Sequence, residues 1–278
     1  MGTPAPVGIF DSGIGGLSVA REIRRALPAE HLLYLADSAF VPYGDRTTDE
    51  VRARTLAAGR HLEALGAKLL VVACNTASGA ALELLRDRLS IPVVGLEPAV
   101  KPAVAASRNG RVGVMATAGT LGSERYARLV QAYGNGARVI AQPCVGLADA
   151  IEDGHLDDEV LHALLPGYIE PLKDAEVDTV VLGCTHYSFV ADRISEALGR
   201  HVLVLESGPA IARQTARVLG ERGALEADGA GSLRILTTGD PAEVGAVAAR
   251  IWGEPLPVDP VTLLPETIAA AADLSATS

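Results

Sequence analysis

The sequence predicts an α/β protein with two lobes, each a mostly parallel sheet covered by helices, and a cleft between them. Three observations carry this. Short aliphatic runs of strand length alternate with helix-length stretches along most of the 278 residues, and strand–helix alternation on this scale produces parallel sheets with helices on their faces. The rhythm restarts after a joint with two prolines, "EPAVKPAVAASRNG". Each block also contains a strand that empties into a cysteine followed by small polar residues: "VVACNTAS" at Val71–Ser78 and "VVLGCTHYS" at Val180–Ser188. Ligands of open α/β sheets bind beyond the carboxyl ends of the strands, so both cysteines are expected at the cleft.

Taken in order, Val7–Phe10, Leu32–Ala36, Lys68–Ala73 and Pro92–Leu96 read as strands, with helices over Ser18–Ala26 and Asp49–Leu65. In Asp49–Leu65 the apolar residues recur near the 3.6-residue period. The second block has strands at Arg111–Ala116, Ala137–Pro143, Asp178–Gly183 and His201–Glu206. Its helices fall at Ser123–Ala132, Leu161–Lys173 and Ala191–Leu198. A helix over Pro209–Glu221, a strand and turn at Leu233–Asp240 and a helix over Pro241–Trp252 follow. We assign residues 1–97 and 207–258 to the first lobe and 98–206 to the second. Residues 259–278, rich in Pro, Ala and Ser, form a tail whose composition permits disorder.

Composition narrows the function. The chain is 49% hydrophobic but only 4% aromatic, so core volume comes from aliphatic packing. With 24 basic and 34 acidic residues its net charge is −10, which disfavours nucleic acid or an anionic membrane as the main partner. No run approaches the roughly 18 apolar residues of a spanning helix, and "MGTPAPVGIF" has no signal-peptide pattern. Three cysteines without a CxxC argue against a disulfide framework and for a reducing compartment. The expected location is the cytoplasm.

"FDSGIGGLS" at Phe10–Ser18 has the form of a strand, a glycine-rich turn and a helix start. As a dinucleotide fingerprint, with Asp37 as the ribose acid, it lacks the third glycine, because Ser18 stands there. Its ordinary reading is a turn needing positive φ, which leaves Asp11 and Ser12 facing the cleft unexplained. In "VPYGDR" at Val41–Arg46, Tyr43 and the Gly44 backbone can supply a hydroxyl and an N–H to a ligand carboxylate. Cys144 reads as a small buried hydrophobe. Cys74 and Cys184 instead begin polar turns, where helix-start N–H groups would lower a thiol pKa and hold an anion.

A phosphatase-type cysteine needs an arginine six residues on, and Ala80 and Val190 occupy those positions. A zinc site would want four ligands, and only Cys184 with His186 comes close. A Cys–His hydrolase would use one thiol and leave the other idle. Two matched thiols from two lobes fit a pair of bases on opposite faces of one carbon. His186 shares a face of its extended segment with Cys184, whereas His31, His61, His155, His162 and His201 read as surface residues. Glu152, in "ADAIEDG", reads on its own as a solvated helix-end acid.

Together "GIFDSGIGGLSV", "ADSAFVPYG", "ACNTAS", "GLEPAVKPA", "GVMATAGTLGSERY", "GLADAIEDG" and "VLGCTHY" resemble the cofactor-independent glutamate racemases of the aspartate/glutamate racemase superfamily. The motifs keep the family's order up to about Gln214, and "TTGDP" matches more weakly. The resemblance implies two pseudo-symmetric lobes with the active site between them. It implies interconversion of L- and D-glutamate without pyridoxal phosphate, metal or any other cofactor, supplying D-glutamate to peptidoglycan and so to cell-wall biogenesis and cell shape.

By position, Cys74 and Cys184 correspond to the catalytic thiols, the first acting on the D-isomer and the second on the L-isomer. Asp11 corresponds to the group assisting Cys74, and His186, with Glu152 behind it, to the group assisting Cys184. Ser12, Tyr43, Gly44, Asn75, Thr76, Thr120 and Thr185 correspond to substrate-binding positions, joined by Asp11 and His186. Glutamate is the expected partner and a homodimer the expected assembly. Ser188, where the family commonly has proline, and Glu206, where it commonly has aspartate, bear on loop geometry. A related substrate such as aspartate or a hydantoin is the alternative specificity. A racemase fold kept for a regulatory binding role, as in family members that partner a topoisomerase, is the alternative of another class. A nucleotide-dependent oxidoreductase would need the missing glycine.

Overall fold

In the computed structural model, which describes residues 4–134 and 136–263, the expected alternation resolves into two parallel sheets. The strands are β1 (Val7–Asp11), β2 (Leu32–Ala36), β3 (Leu69–Val72), β4 (Val93–Gly95), β5 (Arg111–Ala116), β6 (Arg138–Pro143), β7 (Thr179–Leu182), β8 (Leu203–Leu205), β9 (Leu233–Thr237) and β10 (Val258–Pro260). The first sheet runs β10-β9-β2-β1-β3-β4 and the second β6-β5-β7-β8. The central strands β1, β2, β3 and β7 are buried along their whole length. Buried on both faces, they need continuous aliphatic runs rather than alternation.

Helices Leu17–Ala26, Gly208–Glu221 and Pro241–Trp252 cover one face of the first sheet, and Thr48–Ala64 and Asn75–Arg88 the other. Leu147–Glu152, Glu159–Asp174 and Ala191–Leu198 cover one face of the second sheet, and Val100–Ala106 and Glu124–Tyr133 the other. Burying side chains such as Leu62, Leu85 and Leu172 contributes about 1.5–3 kcal/mol each. Local signals set the ends of the helices. Thr47 and Glu50 form a capping box, and Asp240 accepts from the Ala242 and Glu243 N–H groups. Pro102 falls in the first turn of Val100–Ala106, where a missing N–H costs nothing, so the joint is itself partly helical.

Two features depart from the sequence reading. Asn75–Arg88 and Leu147–Glu152 are helices that periodicity alone does not separate from their neighbours. The chain also stays ordered past the expected tail boundary. β10 pairs with β9, the Val261 N–H donates to the Thr237 carbonyl at 2.8 Å, and Leu263 is buried. The rest of the tail lies outside the described residues.

Register positions the site. Asp11 ends β1 opposite Ala36, and Phe10 pairs with Val72, so the chain leaving β3 delivers Cys74 beside Asp11. In the second sheet Met115 pairs with Leu182, which sets Cys184 at the corresponding strand end.

Candidate active site

The carboxyl ends of the two sheets face each other, and each presents a thiol. On the first lobe Cys74 stands just before helix Asn75–Arg88. Its Sγ accepts the Ala77 N–H at 3.4 Å and lies 3.7 Å from Ser12 Oγ. The helix start acts on the thiol in the expected lowering direction, but burial and the neighbouring Asp11 outweigh it and push Cys74 up to about 12. The sequence expectation of a lowered thiol is therefore corrected at this residue.

Asp11 is wholly buried. Its Oδ1 accepts from Ser12 Oγ at 3.0 Å and from the Gly13 N–H at 3.1 Å. Its Oδ2 accepts from Thr185 Oγ1 of the other lobe at 3.0 Å. Burial raises Asp11 to about 6, against the opposing influence of His186 and these donors.

On the second lobe Cys184 precedes the 3-10 turn Thr185–Val190, and its Sγ lies 3.7 Å from His186 Nδ1. His186 Nε2 lies 2.7 Å from Glu152 Oε2. Burial disfavours a charged imidazole, but the flanking Cys184 and Glu152 prevail and hold His186 well above its ordinary pKa. Glu152 is not the solvated acid of its ordinary reading. Its side chain is 11% exposed, and it also accepts from the Ile14 N–H at 2.9 Å and from Ser38 Oγ at 3.2 Å.

The glycine-rich turn has a different purpose from the one sequence suggests. Gly13, Gly15 and Gly16 are not among the positive-φ glycines of the described residues. Close approach is what demands them: a Cβ on Gly13 would lie 2.4 Å from Glu152 Oε2. The turn is bare so that the second lobe's His186 and Glu152 can reach it.

A cavity of about 20 Å³ lies between the thiols, room for about one water molecule. Cys74, Cys184, Ser12, Asn75, Thr185 and His186 line it, as do Tyr43, Gly44, Thr76 and Thr120. Asp11 and Glu152 stand behind this lining. Thr76 Oγ1 lies 3.0 Å from Thr117 Oγ1 and 3.1 Å from Thr120 Oγ1, a cluster of hydroxyls joining the lobes. Among the described residues Asn75 Oδ1, a buried acceptor, has no hydrogen-bond partner, and no lysine or arginine lines the cavity.

One predicted role changes. The Tyr43 hydroxyl donates to Asp37 Oδ2 at 2.5 Å, so it is turned away from any ligand carboxylate. Asp37 in turn is clamped by Arg54 at 2.5 and 2.6 Å and accepts from Thr238 Oγ1 at 2.7 Å. Sequence reasoning missed this buried network, which joins Asp37 to Tyr43 and Arg54 nearby in the chain and to Thr238 far downstream. It also missed Thr117, although "ATAGT" sets that hydroxyl one helical turn from Thr120.

Cys144 is buried with its thiol directed to the Gln142 carbonyl and does not line the cavity. His155 and His162 pair with Asp158 and Asp157 away from the site. Ser188 sits within the regular turn Thr185–Val190. Glu206 is exposed, while Ser207 Oγ donates to the Glu97 carbonyl at 2.9 Å. Among the described residues no group of three or more His, Cys, Asp or Glu is arranged to hold a metal ion, and no helix is long and apolar enough to cross a membrane.

Chemically the arrangement offers two protonatable sulfurs in one cavity, each coupled to a buried acid: Cys74 near Asp11, and Cys184 through His186 to Glu152. Known proteins resemble the chain at high coverage. The chain is 48% identical over 251 residues to the glutamate racemase of Ectopseudomonas mendocina, covering 90% of this chain and 95% of that protein. The Pseudomonas aeruginosa glutamate racemase is 47% identical over 252 residues, with the same coverage.

Among solved structures, a glutamate racemase isoform of Bacillus anthracis superposes with a TM-score of 0.85 at 33% identity, covering 93% of this chain and 98% of that one. Escherichia coli glutamate racemase, in complex with L-glutamate and the activator UDP-MurNAc-Ala, gives 0.83 at 33% identity over 94% and 100%. The aspartate racemase of Picrophilus torridus shares the fold at 17% identity, TM-score 0.56, covering 78% of this chain and 94% of that one. The profile of the Asp/Glu/Hydantoin racemase family matches residues 7–215, and the chain belongs to that family.

Proposed function

We propose that the protein interconverts L- and D-glutamate by proton transfer between two thiols, without a cofactor. The observation that carries this reading is the opening of Cys74 and Cys184 into one cavity from opposite lobes. Cys184, its Sγ 3.7 Å from His186 Nδ1, removes the α-proton of L-glutamate. Cys74, held as a thiol, delivers a proton to the opposite face of the carbanion, giving D-glutamate. In reverse the two exchange roles, so no proton, atom or electron is lost over a cycle.

An α-proton beside an ammonium and a carboxylate is weakly acidic, so the site must stabilise the charge that develops on the carbanion. Hydroxyls of Thr76 and Thr120 and the N–H groups at the start of helix Asn75–Arg88 suit carboxylate oxygens, a preorganised polar lining of the kind that stabilises anionic intermediates. The unpartnered Asn75 Oδ1 suits the substrate's ammonium. Glutamate is favoured over aspartate because the curated relatives at 47–48% identity carry the glutamate activity.

The same reading makes the protein a cytoplasmic isomerase that supplies D-glutamate for peptidoglycan, acting as a homodimer. Circular dichroism of purified protein with L-glutamate tests the reaction: optical rotation should decay to zero, persist after dialysis against EDTA, and stay unchanged with L-aspartate. Decay with aspartate alone would reassign the substrate. No decay with either would leave a binding role on a racemase fold.

A further inference from the structure

Glu152 ends helix Leu147–Glu152, where the helix dipole is negative and a carboxylate is disfavoured. Its compensation comes from the other lobe. The Ile14 N–H donates to Oε2 and Ser38 Oγ to Oε1, leaving Oε2 to face His186 Nε2 as well. Ser38 is itself fixed. It opens the turn Ser38–Phe40, in which the Ala39 N–H donates to Thr238 Oγ1 at 3.2 Å, and the Cβ of Ser38 crowds Gly239. The second lobe answers in kind, since Thr185 Oγ1 donates to Asp11.

We propose that Ser38 is a positioning residue: with the Ile14 N–H it forms a first-lobe cradle that orients Glu152 toward His186. The role rests on the racemase reading for its kinetic consequence but not for its structural one. The groups that face His186 are Cys184 on its own segment, Glu152 and Asp149 on helix Leu147–Glu152, and Asp11 on β1. Of these only Glu152 touches Ser38.

The test compares Ser38→Ala, Ser38→Thr and Glu152→Gln, singly and as the double variant of Ser38→Ala with Glu152→Gln. Losing one hydrogen bond to a charged group should lower kcat roughly ten- to hundredfold, with KM within about twofold. Ser38→Thr, which keeps the hydroxyl, should recover most of the rate. In the Glu152→Gln background Ser38→Ala should cost less than about twofold, because residues acting as one unit are not additive. Full multiplication of the two losses, or wild-type kcat in Ser38→Ala, overturns the proposal. A readout without substrate separates this from the racemase reading. Alkylation of Cys184 by iodoacetamide near neutral pH, followed by peptide mass spectrometry, should slow severalfold in Ser38→Ala and return in Ser38→Thr. If the wild type does not racemise glutamate yet Cys184 alkylation responds in this way, the reaction assignment fails and the cradle stands. If alkylation is unchanged, the cradle fails whatever the enzyme does.

Discussion

Gly15 and His186 meet across the cleft so closely that a Cβ on residue 15 would lie 2.3 Å from the imidazole Nδ1. No rotamer of residue 15 relieves this, because the clash is with Cβ itself. The imidazole must move, and with it the nitrogen that faces Cys184.

Gly15→Ala and Gly13→Ala should therefore fold but lose activity. Displacing a reacting group by about 1 Å costs on the order of 10²-fold in rate. Kinetics together with far-ultraviolet circular dichroism check this: wild-type turnover in either variant would mean the lobes do not need that contact.

The thiols differ in what they should tolerate. Cys74→Ala and Cys184→Ala should each lower racemisation roughly 10²–10⁴-fold in both directions, since each sulfur is base one way and acid the other. Cys144→Ala should leave the rate near wild type. In D₂O, solvent deuterium should appear mainly in the product enantiomer. If Cys184→Ala kept most of its activity, the two-thiol cycle would be wrong.

Asp11 predicts a pH signature in stability. Its folded pKa of about 6 lies above the ordinary 3.8, so the folded state holds the extra proton between those values. Stability from the protonated form is fully present below about pH 4 and is lost as pH rises through 6. A gap of that width corresponds to roughly 3 kcal/mol. Asp11→Asn should gain thermal stability relative to wild type at pH 8 and not at pH 4, while losing activity. A difference in Tm independent of pH would show that charge burial is not the cause.

Arg54→Met should be costly. Asp37 is fully buried and would lose its bidentate partner, a loss of about 3–5 kcal/mol. Urea unfolding measures it, and adding Asp37→Asn should recover part of the loss. The Tyr43–Asp45 segment, anchored through the Tyr43 hydroxyl, should loosen in the single variant.

Much of this site was legible in the sequence because its reactive residues sit at strand ends, where local pattern announces position. Cys74, Cys184, Asp11 and His186 each follow an aliphatic run by a few residues. What stayed hidden depends on contacts that sequence spacing does not encode. Glu152 looks solvated because the donors that bury it, Ile14 and Ser38, lie 138 and 114 residues away. Gly13 and Gly15 invite a positive-φ reading because their true neighbours, Glu152 and His186, belong to the other lobe. Tyr43 reads as a ligand-binding hydroxyl until Asp37 is seen to take it. β10 escapes because three residues carry no periodicity and are ordered by β9.

The first sheet is closed by the last described strands, and that sets an order of events during synthesis. β1 to β4 leave the ribosome long before β9 and β10, while the strands of the second sheet are contiguous. The Asp37 that anchors Tyr43 receives its Thr238 bond from 201 residues downstream. Pairings of such separation form late and slowly. The second lobe can therefore mature first, and β2 waits as an open edge until β9 is made. Cys184 is synthesised 110 residues after Cys74, so the first thiol exists long before the counterpart that faces it across the cleft.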